Sequence, residues 1–191
     1  MLDVEILGGS LISVNAADPA PIPTGRGSDE VDRLVEAWRR ELPSLDVQPL
    51  HVMSRLTRLA RHLDLARRAT FAELDLEVWE FDVISALRRA GRPYELSPGA
   101  LVHQTLSTSG TTTNRIDRLA ARGFVERLPD PHDRRGVRVR LTPDGAARAD
   151  QAITALVQRE RALLAALDPA EASRLAGLLG RLLEPFEENG T

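Results

Sequence analysis

The chain has 191 residues, of which 42% are hydrophobic and only 4% aromatic, with no cysteine and a net charge of −3 at pH 7. That hydrophobic share supports a real core and argues against global disorder. The missing cysteines exclude disulfide scaffolds, thiol redox chemistry, cysteine nucleophiles and cysteine-based zinc sites.

Every one of the 25 basic residues is arginine. Four scattered histidines, His51, His62, His103 and His132, show no metal-ligand spacing, so neither a metal nor another cofactor is expected. No apolar run approaches the roughly 20 residues of a membrane span. The N-terminus lacks the basic segment of a signal peptide, and the expected location is cytoplasmic, with no membrane partner.

Residues 1–27 hold Gly8, Gly9, Pro19, Pro21, Pro23, Gly25 and Gly27, and read as a mobile arm. Ser28 can cap a first helix, with Asp29 and Glu30 in its opening turn. Val31, Leu34, Val35, Trp38 and Leu42 recur on one face of it, and Pro43 ends it. A second helix is expected from about Pro49 to Phe71, with Met53, Leu56, Leu59, Ala60 and Leu63 as its stripe. A third runs from about Leu76 to Ala90, with Trp79, Val83, Ile84 and Leu87 inward, stopped by Gly91 and Pro93.

Two short helices then follow closely. Ser97-Pro98 opens one that ends near Gln104. Ser107 or Thr108 caps the next, which turns Ile116 and Leu119 inward and ends at Gly123. Beyond Gly123 the period shifts from 3.6 to 2. Phe124 to Leu128 is one strand, and Val137, Val139 and Leu141 alternate with Arg138 and Arg140 in another. Pro129 to Gly136 make a turn-rich loop with a basic tip between them. Thr142-Pro143 caps a long helix to about Leu167, and Asp168-Pro169 a last one with Leu175, Leu178, Leu179, Leu182 and Leu183 along it.

The order helix, turn, helix, hairpin over residues 75–142 is a winged helix-turn-helix, a mainly α fold with a small β-hairpin wing. A helix that reads base edges shows short polar side chains in its N-terminal half. Here that half is Thr108, Ser109, Gly110, Thr111, Thr112, Thr113 and Asn114, with Arg118 a turn beyond. The wing tip carries Arg134 and Arg135, suited to a minor groove, and Asp133 is placed to buttress one of them. Between Ser107 and Arg140 eight arginines face four acids, a local surplus of +4 on a chain whose remainder is −7. The expected DNA contacts are Thr108, Ser109, Thr111, Thr112, Thr113, Asn114, Arg118, Arg134 and Arg135. No nucleophile–base pair, phosphate loop or carboxylate dyad suggests an enzyme.

Asp133-Arg134-Arg135, followed six residues after Arg135 by Leu141-Thr142, resembles the wing signature of the MarR family of regulators. The segment Thr108 to Leu119 is similar to that family's recognition helix. The resemblance spans about residues 31–188 and is sharpest over 75–145. It implies a repressor that binds palindromic double-stranded DNA as a homodimer. Residues 28–71 and 143–188 would supply the dimerisation and scaffold helices, and Arg135 would be the minor-groove arginine. Trp38, Asp82, Arg115 and Arg127 resemble the ligand tetrad of the family's urate-responsive branch. The resemblance implies a small anionic effector such as urate, trans-aconitate or another tricarboxylate, clamped by two arginines. The alternative is an ion-pair network that braces the DNA-binding lobe and holds no ligand.

Overall fold

The computed structural model describes residues 27–105, 108–131, 133 and 136–187. The arm proposed for residues 1–27 therefore lies almost wholly outside the described residues, as do the wing arginines Arg134 and Arg135. The chain divides into two compact units, residues 1–57 and 58–191.

In the first unit, α1 spans Glu30–Glu41 and α2, which spans Leu50–Ala72, begins. Asp29, not Ser28, caps α1. Its carboxylate accepts from the backbone N–H of Val31 and Asp32, while Asp32 reaches back to the N–H of Asp29. This reciprocal box satisfies two donors that a serine one residue earlier would leave unmet. Val31, Val35 and Val47 form a small core with Leu34 and Leu50 against it. Arg55 ties α2 to this cap, donating to Asp29 at 2.8 Å and Asp32 at 2.6 Å. Trp38 and Leu42, expected on the buried face, are each nearly half exposed.

In the second unit, α2 continues into α3 (Val78–Arg89), β1 (Glu95–Leu96), α4 (Pro98–Gln104), α5 (Ser109–Ala121), β2 (Val125–Pro129), β3 (Val137–Leu141), α6 (Pro143–Leu164) and α7 (Pro169–Glu187). Helix α3 is the hub, packed against α4, α5, α6 and β3. Phe71, Ile84, Leu87, Leu101, Ile116, Leu119 and Val139 are fully buried around it. Each such side chain contributes about 1.5–3 kcal/mol relative to exposure. Phe71 and Phe81 stack at 4.3 Å between ring centres, with the Arg67 guanidinium 5.6 Å from the first ring. The expected caps are in place at Ser97, whose hydroxyl accepts from Ala100, and at Thr108 rather than Ser107.

The wing is a three-stranded antiparallel sheet in the order β1-β3-β2. Val125 pairs with Leu141 and Pro129 with Val137, the register expected of a hairpin. Strand β1 is an addition to the sequence reading. Its two residues, Glu95 opposite Arg140 and Leu96 opposite Val139, are too few to show a period. They cover the free edge of β3.

The junction from wing to α6 depends on Gly145. The Thr142 hydroxyl accepts from the Gly145 N–H at 3.0 Å and donates to the Gly123 carbonyl at 2.7 Å. The Thr142 N–H donates to the Phe124 carbonyl. These bonds bring the first turn of α6 so close to the start of β2 that a Cβ on Gly145 would lie 2.0 Å from the Phe124 oxygen. Gly145→Ala must push α6 away from the sheet and is expected to lower unfolding free energy by about 2 kcal/mol or more. Urea denaturation checks this, and an unchanged midpoint would remove the close approach from the account.

Candidate DNA-reading helix and adjoining cleft

Helix α5 has three faces. At about 100° per residue, Thr112, Ile116 and Leu119 share one, and all three are buried. Ser109, Gly110, Thr113, Asn114 and Asp117 turn outward and are exposed. Arg115, Arg118 and Arg122 make a stripe between these faces, at i, i+3 and i+7.

That stripe docks on the N-terminal turn of α3. Arg118 donates to Glu77 Oε1 at 2.7 Å, and its guanidinium lies 4.7 Å from the Trp79 ring centre. Trp79 Nε1 donates to the other Glu77 oxygen at 2.7 Å. Both bonds favour the charged carboxylate. The Trp79 bond comes first, then that of Arg118, and together they hold the Glu77 carboxyl below its ordinary range. Arg122 donates to Glu80 Oε2 at 2.7 Å and to the carboxylate and carbonyl of Asp75. Glu80 is only 1% exposed, and its carboxylate also accepts from the Glu77 N–H. Arg115 lies over the same Trp79 ring at 5.5 Å.

Beside this contact an open cleft of about 490 Å³ is lined by Arg68, Leu76, Val78, Trp79, Asp82 and Arg115 among others. Asp82 pairs with Arg67 at 3.2 Å, and its side chain is 39% exposed. Burial pushes its carboxyl above the ordinary range, against the opposing pull of Arg67, Arg115 and Arg89.

The structure thus brings Asp82 and Arg115 to one cleft and adds Trp79, Glu77 and Arg68, which the sequence reading had not placed there. Arg127 is not among the residues lining it. Its guanidinium donates to Asp117 Oδ1 at 2.6 Å and to the Thr113 carbonyl at 3.4 Å, joining β2 to the outward face of α5. Trp38 belongs to the first unit, on α1. Of the expected DNA contacts, Thr108, Ser109, Thr111, Thr113, Asn114 and Arg118 are exposed. Thr112 is a correction. It is 1% exposed, and its hydroxyl donates to the Thr108 carbonyl, so it packs and cannot reach a groove.

Among the described residues, the surplus of +4 is reduced where its arginines meet acids. Acids from outside the stretch fold onto it: Glu77 on Arg118, Asp75 and Glu80 on Arg122, Glu95 on Arg138 and Arg140. Glu126 and Asp130 take the second contacts of Arg140 and Arg138. The Glu77-x-x-Glu80 spacing at a helix start is a capping-box signal. With the arginine spacing in α5, it could have pointed to this pairing. Among the described residues no histidine and acid cluster is suited to a metal, and no helix is long and apolar enough to cross a membrane.

A helix-turn-helix pair, α4 and α5, beside a three-stranded wing defines a winged-helix protein. The sequence model of the MarR family matches residues 74–136. Over 160 residues the chain is 37% identical to the HTH-type transcriptional regulator PecS of Dickeya dadantii, covering 84% of this chain and 96% of that protein. A mutant MarR from E. coli complexed with operator DNA superposes with a TM-score of 0.59 at 29% identity, over 76% of this chain and 97% of that one. Bordetella bronchiseptica BpsR, solved to explain regulation of its DNA binding by 6-hydroxynicotinic acid, gives 0.58 at 30% identity, over 69% and 91%. The chain belongs to the MarR family of transcriptional regulators.

Because burial outweighs the arginines at Asp82, its folded carboxyl titrates above its unfolded one. Folding then favours the protonated form, and stability is lost as pH rises through the raised value. Asp82→Asn removes that loss. Its melting temperature should match or exceed the wild type at neutral pH, and the advantage should vanish below about pH 4, the ordinary carboxylate range. A variant less stable at neutral pH would show that the arginines outweigh burial.

Proposed function

We propose that this regulator represses transcription by binding a palindromic double-stranded operator as a homodimer, and that a small anion entering the cleft beside α5 releases it. One observation carries the reading. Arg115 lines the cleft while sitting on the same helix whose opposite side presents Ser109, Thr113 and Asn114 outward. Short polar side chains of that kind reach base edges in a major groove. The operator complex of the related MarR supports the DNA assignment, and the regulation of BpsR by a small aromatic acid supports the effector assignment.

An anion in the cleft would meet the Arg115 fork, which matches a planar carboxylate or urate edge by paired hydrogen bonds. Trp79 offers a flat face, and Leu76 and Val78 an apolar wall. Asp82 opposes entry while ionised, and its raised carboxyl value lessens that opposition at lower pH. The Trp79–Glu77–Arg118 chain gives the arriving charge a route to the helix, since an anion taking Arg115 from the Trp79 ring disturbs the contact that also holds Arg118. The effector class stays as the resemblance implies: urate, trans-aconitate or a similar tricarboxylate. Trp38 enters this reading on resemblance alone, and Arg127 is left out of the cleft. The Arg67–Asp82 pair favours a second reading, in which these charges brace the lobe and bind no anion.

The homodimer has support in the faces left open. No residue of α7 is buried, and Leu178, Leu182 and Leu183 are each about half exposed, as are Ile153 and Val157 on α6. Apolar surface of this extent marks an interface, and a second copy of the chain closes it by two-fold symmetry.

Gel shift with the DNA upstream of the protein's own gene tests both halves. Retardation at low salt is expected, relieved by urate, trans-aconitate or citrate. Arg115→Ala should raise the half-effective anion concentration by about tenfold or more. No retardation defeats the repressor reading, and relief by none of these anions favours the bracing network. Light scattering on the free protein should give twice the chain mass, and the pair Leu178→Glu and Leu182→Glu should give the single chain, because charge is costly to bury at an interface. A double variant still at twice the mass would move the interface elsewhere.

A further inference from the structure

Asp117 poses a problem for any helix that faces DNA. It lies on the outward side of α5, one turn beyond Thr113 and Asn114 and well away from the buried Thr112, Ile116 and Leu119. Its side chain is 61% exposed. A carboxylate can only accept hydrogen bonds. In a major groove almost everything it would meet also accepts: phosphate oxygens, guanine O6 and N7, adenine N7, thymine O4. The donors there are the exocyclic amino groups of cytosine and adenine. The same carboxylate is met by Arg127, whose guanidinium is held at 2.6 Å and fixed a second time by the Thr113 carbonyl. Arg127 thus neutralises the acid from the wing side and fixes its orientation, while Asp117 keeps its outward exposure.

We propose that Asp117 is a specificity-determining residue, selecting a base that offers an exocyclic amino group, and that Arg127 is the positioning residue that makes this acid tolerable against DNA. The proposal rests on the reading of α5 as the DNA-reading helix. Asp117 rejects the duplexes that oppose it with acceptors and so lowers affinity for unrelated DNA. Cytosine suits it best, since its amino group stands without a neighbouring acceptor on the same base edge in the groove. Without Arg127, the full charge of Asp117 would repel every duplex alike. With Arg127 but without the acid, the freed guanidinium would bind phosphate without regard to sequence.

Selection from a duplex library with randomised positions, followed by binding titrations over a range of salt, tests this on the whole chain. The wild type should enrich one position in each half-site for cytosine, or secondarily adenine, on one strand. Asp117→Asn should lose that preference, keep the others, and gain more affinity for unenriched duplex than for the enriched one, with a salt slope steeper by about 1. Arg127→Ala should weaken binding to all duplexes by about tenfold. Adding Asp117→Asn to it should restore most of the loss, which a purely bracing role for Arg127 would not allow. Arg127→Lys, which keeps the charge, should stay within about threefold of the wild type. A base preference unchanged by Asp117→Asn, or an Arg127→Ala loss that Asp117→Asn leaves unrepaired, overturns the proposal. A wild type that enriches no sequence overturns the DNA-reading assignment of α5 itself, and this inference with it.

Discussion

The docking of three arginines of α5 on the first turn of α3 is the contact on which the functional lobe depends. The apolar seam of Ile116 and Leu119 gives α5 its place in the core, but hydrophobic contact is non-directional. The angle of α5 about its own axis is fixed by bonds that have direction: Arg118 to Glu77, Arg122 to Glu80 and Asp75, and Arg115 over Trp79. Glu80 is the anchor. A buried carboxylate must be paired, and the Glu80 charge is met by Arg122 and by the N–H of Glu77. The capping box of α3 and the seat of α5 therefore share the same side chains.

This arrangement also accounts for how much could be read from the chain alone. Local signals were strong. Caps at Ser97, Thr108 and Thr142, the stop at Gly91 and the change of period after Gly123 all act within a few residues, and each marks an element found in the fold. Long-range pairing was not legible. Glu77 and Arg118 are 41 positions apart, and only the capping-box spacing at Glu77 and the arginine spacing in α5, taken together, hint at the pair. The local charge count therefore left out the acids that pair with Arg118, Arg122, Arg138 and Arg140 in the fold. Strand β1 was missed for a similar reason, since it exists only because β3 has an open edge.

Among the proposed site residues the same division holds. Asp82 and Arg115 were singled out from their surroundings in sequence, and both line the cleft. Trp79 was assigned to the core by its helical position, yet it is partly buried and holds two arginines on its ring. Thr112 sat within a polar run and was grouped with its neighbours. Its angle on the helix, shared with Ile116 four residues on, would have separated it.

In the proposed function, the three faces of α5 make it a rigid coupler. Arg115 on the cleft side and Asp117 on the outward side are two residues apart, so neither can turn about the helix axis without the other. With side chains ending about 5–6 Å from the axis, a turn of about 20° carries an outward tip by about 2 Å. Hydrogen bonds to base edges fail over a displacement of that size, since donor and acceptor must stay within about 3.2 Å. On that proposal, the helix need not unfold or leave the lobe for reading to stop. It needs only to lose part of the directional contacts that hold its angle, and those of Arg115 and Arg118 converge on Trp79 and Glu77, which both line the cleft.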